Sequence, residues 1–450
     1  MEPVWAKCLR NAACLFFFAW LSSPASVLAE PDSEPGLGYS LADDWGELWR
    51  RILDRNGRAD PNGPIQQRFA EDLYPEHEVD QMVADFPLAT ELAWQSTKSG
   101  ARFWAHSYDA ISLGTQIQLK TAVDISDSWQ LKMQFFRHYT RNIRSDLFQV
   151  DWYWQPKKKR SWFVDLRFFP RVEKQDTEVG AQVGYRDDSI GSVSVRMFAL
   201  NTFANASYWL VSQRDDNPQF AFKQLDLPLA FSLQASTVRL RGFRTELYMG
   251  IVVPQSQRLF FGDGLEQSEL HKETGYLGGA LVEWQPPEKP LWFGASGLFI
   301  WNKWSSESED RADTNARIKE LTIQSRLWTI WKPRSNLQLE AQARFTSRPE
   351  DRRLAGNPLE SGKHSDLELI ASLRTQYMFS RRIGVDVSYW HRQRNADGPP
   401  IRGIEGVENR IVPRLLFDWD SILVSFGVGW DPFPRRSFYA GGGGTFIVKF

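Results

Sequence analysis

Six histidines are the side chains of this 450-residue sequence best suited to acid–base catalysis or metal binding. They are His77, His106, His138, His271, His364 and His391. No two of them have a metal-binding spacing such as HxxxH, so no metal or cofactor site is predicted. His106 and Ser107 adjoin, but neighbours on a strand point to opposite faces, which is wrong for a base and its nucleophile. The sequence therefore predicts no catalytic residues and no enzyme.

The first 29 residues have the pattern of a secretory signal peptide: a basic start, the apolar run Asn11–Leu21, and small residues ending at Ala29. The run is shorter than the ~20 residues that a helical membrane anchor needs. We therefore expect cleavage near Ala29, before Glu30. The only two cysteines, Cys8 and Cys14, would leave with this segment. The mature chain is then expected to have no disulfide, thiolate metal site or cysteine nucleophile.

From about residue 90 to the end, apolar and polar residues alternate with the period of two that is typical of β-strands. In Leu337–Thr346 the odd-numbered residues are apolar and the even-numbered residues are polar, and Ile422–Trp430 alternates in the same way. Strands of ~9–11 residues are long enough to cross a bilayer at the usual tilt. This region is predicted to be all-β.

Short turns and longer polar connections alternate along this region. The short turns are 332–335, 380–381 and 418–420, and the longer stretches are 254–274, 302–317, 347–365 and 392–408. Further short turns at 124–127, 156–160 and 187–190 fall at the same end only if another strand crosses between residues 200 and 250, with a turn between Ala235 and Gly242. We predict about 18 strands, with 16 or 20 as alternatives, because single-chain bacterial barrels have an even number.

The last strand carries the most specific signal. Phe446, Val448 and Phe450 fall on one face, and Thr445, Ile447 and Lys449 fall on the other. This segment resembles the final strand of Gram-negative outer-membrane β-barrels. In that superfamily the terminal aromatic strand is the sorting signal read by the barrel-assembly machinery.

The resemblance implies that residues 90–450 form an antiparallel up-and-down barrel, surrounded by lipid bilayer and lipopolysaccharide. The alternative fold is a soluble β-sandwich or propeller, which would also alternate. The 20 tryptophans favour the membrane, because several are predicted near strand ends, where interfacial girdles lie. These are Trp152, Trp154, Trp162, Trp331, Trp390 and Trp430.

Residues 30–89 have a different pattern, a polar linker followed by apolar residues at helical spacing. The helical stripe consists of Leu41, Trp45, Leu48, Trp49 and Ile52. We expect a helical segment on the periplasmic side. It could be a cap on the barrel mouth, a plug in the lumen or a docking surface for a periplasmic partner.

Charged residues on the non-lipid face of the strands must line a polar lumen, because charge facing lipid is costly. The candidate lumen residues are Arg239, Arg241, Arg244, Arg326, Arg344, Arg374 and Arg414. One interpretation is a ladder of ion pairs that braces a filled barrel. The other is a pore whose arginines favour anionic solutes or an acidic polysaccharide. The whole-chain net charge of −1 gives no basis for nucleic-acid binding.

Two classes of function follow. The first is an outer-membrane channel, either a passive pore or the exit for a secreted polymer such as an exopolysaccharide. The second is a structural or scaffold barrel that docks a periplasmic or surface partner. Because ~16 or more strands enclose a lumen too wide for side chains alone to fill, the channel is favoured.

Deletion of Phe450 tests the sorting signal. We expect the shortened chain to remain in the periplasm or to be degraded, because the assembly machinery would no longer recognise the last strand. Cell fractionation and heat-modifiable gel migration measure the outcome. Normal membrane insertion of the deletion variant would contradict the assignment.

Overall fold

The structure is a computed structural model. It describes residues 99–107, 113–139, 144–157, 160–169, 178–199, 220–224, 229–237, 242–261, 267–286, 289–308, 315–356, 361–397, 406–419, 421–433 and 439–449. The predicted signal peptide (1–29) and helical segment (30–89) lie outside these described residues, and so does Phe450. In the described part of the chain, no helix is long and apolar enough to cross a membrane.

The described residues contain nineteen strand segments. In chain order these are β1 Gly100–Ser107, β2 Leu113–Asp124, β3 Trp129–Tyr139, β4 Arg144–Trp154, β5 Arg160–Phe169, β6 Glu178–Asp187, β7 Gly191–Ala199, β8 Phe220–Gln224, β9 Leu229–Thr237, β10 Phe243–Phe261, β11 Gln267–Trp284, β12 Leu291–Ser308, β13 Ala316–Arg334, β14 Leu337–Leu354, β15 Gly362–Met378, β16 Ile383–Asp397, β17 Gly406–Trp419, β18 Ile422–Trp430 and β19 Tyr439–Lys449. All of them belong to one sheet.

The sheet closes on itself. β1 pairs antiparallel with β19 from Gly100↔Lys449 to Ser107↔Gly442, and with β2 on its other side. β8 and β9 both pair with β10, one after the other along its length, so they form a single interrupted strand. The nineteen segments therefore make eighteen barrel strands, which confirms the predicted number and the antiparallel barrel.

The extra strand expected between residues 200 and 250 is β8–β9, and its turn lies between Thr237 and Phe243. Gly242 stands at the end of this turn with φ at 89°, a left-handed conformation that glycine adopts without steric cost. With this turn in place, the short turns predicted from the sequence all fall at one end of the barrel.

The two faces of the sheet differ in polarity. On β16, Val387 is 43% exposed on the outer face, whereas its neighbours Asp386 and Ser388 are buried on the inner face. On β13, Ile323 and Leu327 are exposed in the same way. An apolar exterior around a polar interior is the reverse of a soluble protein and suits a closed barrel in lipid. The sandwich and propeller alternatives are therefore excluded.

Aromatic side chains gather at both boundaries of the apolar exterior. At the turn end, Trp284 stacks between Phe243 and Phe293, with ring centroids 5.8 and 5.6 Å apart. At the loop end, Tyr276 of β11 packs against Trp301 of β12 at 5.3 Å. Such girdles mark the two membrane–water interfaces of outer-membrane barrels.

One of the six predicted girdle residues does not lie on the outer face. Trp152, Trp162 and Trp430 are exposed on the outer face, but Trp390 lies within β16 on the inner face and is only 3% exposed. The Arg410 guanidinium lies 5.9 Å from the centre of its ring. Its even number places Trp390 in phase with the inward-facing Asp386 and not with the outward-facing Val387. Its side chain therefore points into the barrel.

The predicted long connections are also wrong, because the connections in the structure are shorter. The stretches 254–274, 302–317, 347–365 and 392–408 lie largely within strands, because β10 to β17 have 14 to 19 residues each. Crossing the bilayer needs only ~9–11 residues, so these strands continue beyond the loop-end boundary. There both faces can be polar, and the apolar–polar alternation that indicates a strand disappears.

Gly294→Ala tests the packing of the inner face. A Cβ atom at this position would overlap the buried Trp328 ring on β13. Overpacking of this kind costs about 1–3 kcal/mol, so the temperature of the heat-modifiable gel shift should fall. Gly297→Ala on the same strand is the control, because its nearest neighbouring atom is 3.9 Å away. Equal shifts for both variants would contradict this packing.

Candidate functional site

Asp386 is the centre of a buried ion-pair group on the inner face. It has no solvent-exposed surface, and Arg414 lies directly opposite it on β17. Arg374 of β15 approaches one carboxylate oxygen at 2.6 Å, and Arg414 approaches the other at 3.3 Å. Arg414 also donates a hydrogen bond to the Ser388 hydroxyl at 2.9 Å. One acid is thus shared by two arginines.

Two further acids, both on β15, are shared in the same way. The nitrogen–oxygen distances are 2.6 Å from Arg392 to Glu368, 3.8 Å from Arg344 to Glu368, 2.7 Å from Arg394 to Asp366 and 3.7 Å from Arg348 to Asp366. Arg394 uses two nitrogens, each bonded to a different Asp366 oxygen. This fork geometry is the strongest form of the arginine–carboxylate pair.

We call these six arginines and three acids the arginine ladder. Its arginines are Arg344, Arg348, Arg374, Arg392, Arg394 and Arg414. Guanidinium groups stay charged at any working pH, so each unit of two arginines and one carboxylate carries a net positive charge. The ladder lies on β14 to β17, where Glu340 also lies opposite Arg374 and Glu350 pairs with Arg352. In total, the described inner face of these strands carries eight arginines and six acids, a small excess of positive charge.

Ion pairs also occur on the remaining part of the inner face. Arg167 on β5 lies 2.9 Å from Asp165 and 3.5 Å from Asp151. Arg244 on β10 pairs with both Glu246 and Glu283. Lys132 of β3 lies directly opposite Asp151, and Arg196 of β7 is buried on the same face. The charges of this part are therefore also close to balanced.

Five of the seven arginines predicted to line the lumen lie on this inner face. Arg344, Arg374 and Arg414 belong to the ladder and Arg244 to the opposite part. Arg326 lies 5.7 Å from the centre of the Trp328 ring and donates a hydrogen bond to Gln342 at 2.9 Å. Arg239 and Arg241 lie outside the described residues.

The other predicted sites are placed as follows. Phe446 is 42% exposed on the outer face of β19, and Val448 is half-buried in the same phase. Phe450 lies outside the described residues. So does the whole helical stripe, namely Leu41, Trp45, Leu48, Trp49 and Ile52.

Sequence reasoning missed Arg348, Arg392 and Arg394 because it assigned them to loops. The strand phase could have identified them. Arg348 is four residues from Arg344 and so faces the same way, and Arg392 and Arg394 continue the even-numbered phase of Asp386. His364, also assigned to a loop, is buried on the inner face of β15. His391 lies on the outer face, 2.8 Å from the Asn409 side-chain oxygen.

The chemistry available on this face is electrostatic. Among the described residues, no three His, Cys, Asp or Glu side chains are grouped so that they could hold a metal ion. Guanidinium groups bind carboxylates, phosphates and sulfates through paired N–H donors. The arginine ladder is thus suited to interaction with anions.

Three features define an outer-membrane β-barrel: the closed sheet, its even strand number, and its apolar exterior with two aromatic girdles. The fold and the outer-membrane location predicted from the last strand are confirmed. No family model matches the sequence, and no curated protein matches it.

Several solved outer-membrane barrels are similar in fold. CdiB from Acinetobacter baumannii is 8% identical with a TM-score of 0.40, over 78% of this chain and 60% of CdiB. A bacterial polysaccharide outer membrane secretin is 10% identical with a TM-score of 0.33, over 79% of this chain and 99% of the secretin. The ferric citrate transporter FecA is 8% identical with a TM-score of 0.39, over 79% of each chain. This chain thus spans less than two thirds of the length of CdiB.

Asp386→Asn tests the ladder. The substitution keeps the side-chain shape but leaves two buried arginines without their shared counter-charge. Breaking a buried pair in this way costs about 3–5 kcal/mol, so the barrel should unfold at lower temperature or lower urea concentration.

Asp188→Asn is the matched control. Its partner Arg186 lies 2.9 Å away, but the two side chains are 45% and 52% exposed. An exposed pair contributes about 0–1 kcal/mol. If the two variants lose the same stability, Asp386 does not hold a buried ion-pair group.

Proposed function

We propose that this protein is an outer-membrane channel that favours anionic solutes, as a passive pore or as the exit for an acidic polymer such as an exopolysaccharide. The observation that carries the proposal is the cluster of six ladder arginines on four adjacent strands. On the described inner face of β14–β17, arginines exceed acids by eight to six. This excess is small, but the clustered guanidinium groups would give the nearby lumen a positive potential.

The position of the ladder suits a solute that moves along the wall. On β15, the residues of the ladder extend from Arg374 to Asp366. At ~3.4 Å per residue this is ~27 Å along the strand, or ~20 Å of height at the usual tilt, compared with ~25 Å for the apolar band of outer-membrane barrels. An anionic chain in the lumen would therefore remain near positive charge over most of its passage. Because the charges are spread out, no single site need hold it tightly.

The other parts of the proposal rest on the sequence. Residues 1–29 would be removed before Glu30, and residues 30–89 would form the periplasmic cap, plug or docking surface. The barrel-assembly machinery would recognise the Phe446, Val448 and Phe450 face, and the surrounding lipid would include lipopolysaccharide. Catalysis has no part in this function.

A scaffold barrel that docks a periplasmic or surface partner is the second candidate. The observation in its favour is burial: Asp386 is 0% exposed and Arg392 is 2% exposed. A ladder of mutually satisfied ion pairs would brace the wall without needing a solute. The two candidates differ in whether the folded barrel conducts ions.

Reversal potential in a planar bilayer under a salt gradient tests the channel. We expect the wild type to prefer anions, and Arg326→Gln, Arg344→Gln and Arg374→Gln combined to reduce that preference. The effect should be largest at low ionic strength, since the Debye length is ~10 Å at 0.1 M salt and ~30 Å at 0.01 M. Changing all three to Lys keeps the charge and should restore the preference.

The matched control removes three positive charges outside the lumen. Arg317, Arg353 and Lys363 are exposed on the outer faces of β13, β14 and β15, and changing all three to Gln should leave the selectivity unchanged. Cation preference in the wild type would overturn the electrostatic argument. A correctly folded barrel with no conductance would overturn the channel and favour the scaffold.

A further inference from the structure

Two pairs of like charges face each other on the outer surface of the barrel. Lys303 of β12 lies directly opposite Lys319 of β13, and Arg317 of β13 lies directly opposite Arg353 of β14. All four belong to the outer face, because Arg317 and Lys319 are in phase with the exposed Ile323. Cβ atoms of directly opposed residues are only ~4.5–5.5 Å apart, and like charges at this separation are destabilising.

The neighbouring residues compensate little of this charge. Asp351 lies opposite Lys319, but it also lies opposite a further cation, Lys363 of β15. Glu307, on the same outer face, is paired with Lys272 at 2.9 Å. Among the described residues, no acid lies within ion-pair distance of Lys303, Arg317, Lys319 or Arg353.

The four cations lie just beyond the apolar exterior. Trp301, part of the loop-end aromatic girdle, precedes Lys303 by two residues on the same face of β12. On β13, the apolar outer face runs from Trp331 to Leu321, and Lys319 follows. These ten residue steps cover ~34 Å along the strand, or ~25 Å of height at the usual tilt, which is the height of the apolar band in outer-membrane barrels. The cations are thus level with the head groups of the outer leaflet.

We propose that Lys303, Arg317, Lys319 and Arg353, here called the basic patch, bind the phosphate groups of the glycolipid that forms the outer leaflet, the lipid A part of lipopolysaccharide. A phosphate between two opposed cations converts their repulsion into charge-assisted hydrogen bonds. Two opposed pairs on adjacent strands suit a head group with two phosphates. The exposed apolar residues below, such as Phe299 and Ile323, lie where its acyl chains would pack.

The proposal is independent of the channel, because the basic patch is on the outer face and the ladder on the inner face. A lipid at this position would order β12–β14 where they leave the bilayer. Phosphatidylglycerol and free phosphate also present anionic oxygens, but the proposal commits to the phosphorylated glycolipid. We choose the glycolipid because the basic patch lies level with the outer leaflet, which this glycolipid forms.

Binding of bis-phosphorylated lipid A to the purified full chain in detergent, measured by native mass spectrometry, tests this site. We expect K303Q/K319Q to weaken binding roughly tenfold or more, since each basic residue near a membrane surface contributes about 1 kcal/mol of attraction. Arg381→Gln/Arg382→Gln removes the same charge at the turn end and should bind like the wild type. Heat-modifiable migration checks that both variants are folded.

Three other probes separate the sources of the anion. Lipid A without phosphates should bind at least tenfold more weakly than the bis-phosphorylated form, and phosphatidylglycerol and inorganic phosphate should not displace it at equal concentration. Unchanged binding by K303Q/K319Q, equal binding of phosphate-free lipid A, or displacement by either competitor would overturn the proposal. If K303Q/K319Q fails to fold, K303R/K319R is measured instead. This variant keeps both charges and should bind lipid A as the wild type does. Loss of binding would overturn the electrostatic basis of the proposal.

Discussion

The structure depends on one constraint: inside the bilayer, no water is present to form hydrogen bonds with the backbone. Every N–H and C=O group that faces lipid must find a partner within the protein, and a sheet achieves this only if it has no edge. The pairing of β1 with β19 removes the edge over eight residue pairs. Once the sheet is closed, the pleat assigns every second residue to lipid and the others to the interior. The apolar exterior and the charged interior both follow from this division.

This constraint also explains what could be predicted from the sequence. Where a strand crosses lipid, one face must be apolar, so the alternation in Leu337–Thr346 identified both the strand and its inward residues. The requirement that all short turns lie at one end located the turn between Thr237 and Phe243. Beyond the membrane, neither face of a strand has to be apolar. Both faces of β16 are polar near Arg392 and Arg394, and without alternation those residues resembled a loop.

The pairing of charges could not be predicted for a different reason. Arg392 and Glu368 are 24 residues apart in sequence, and Arg394 and Asp366 are 28 residues apart. Their contact depends on the register between β15 and β16, which is set jointly by the hydrophobic pattern and by the turn that joins the strands. Counting inward charges gave a small basic excess. Only the register shows which arginines share an acid, as Arg374 and Arg414 share Asp386.

The unequal lengths of the strands have a consequence for the outer mouth of the barrel. β10 to β17 have 14 to 19 residues, whereas β1 to β7 have 8 to 12. A difference of about six residues is ~20 Å along the strands. Within the described residues, the inner faces of β10 to β17 therefore continue past the loop-end girdle. Arg348, Arg392 and Arg394 lie on this continuation, where lipid no longer surrounds the wall. A solute that enters from the loop end would thus meet part of the ladder before it reaches the membrane-spanning part of the lumen.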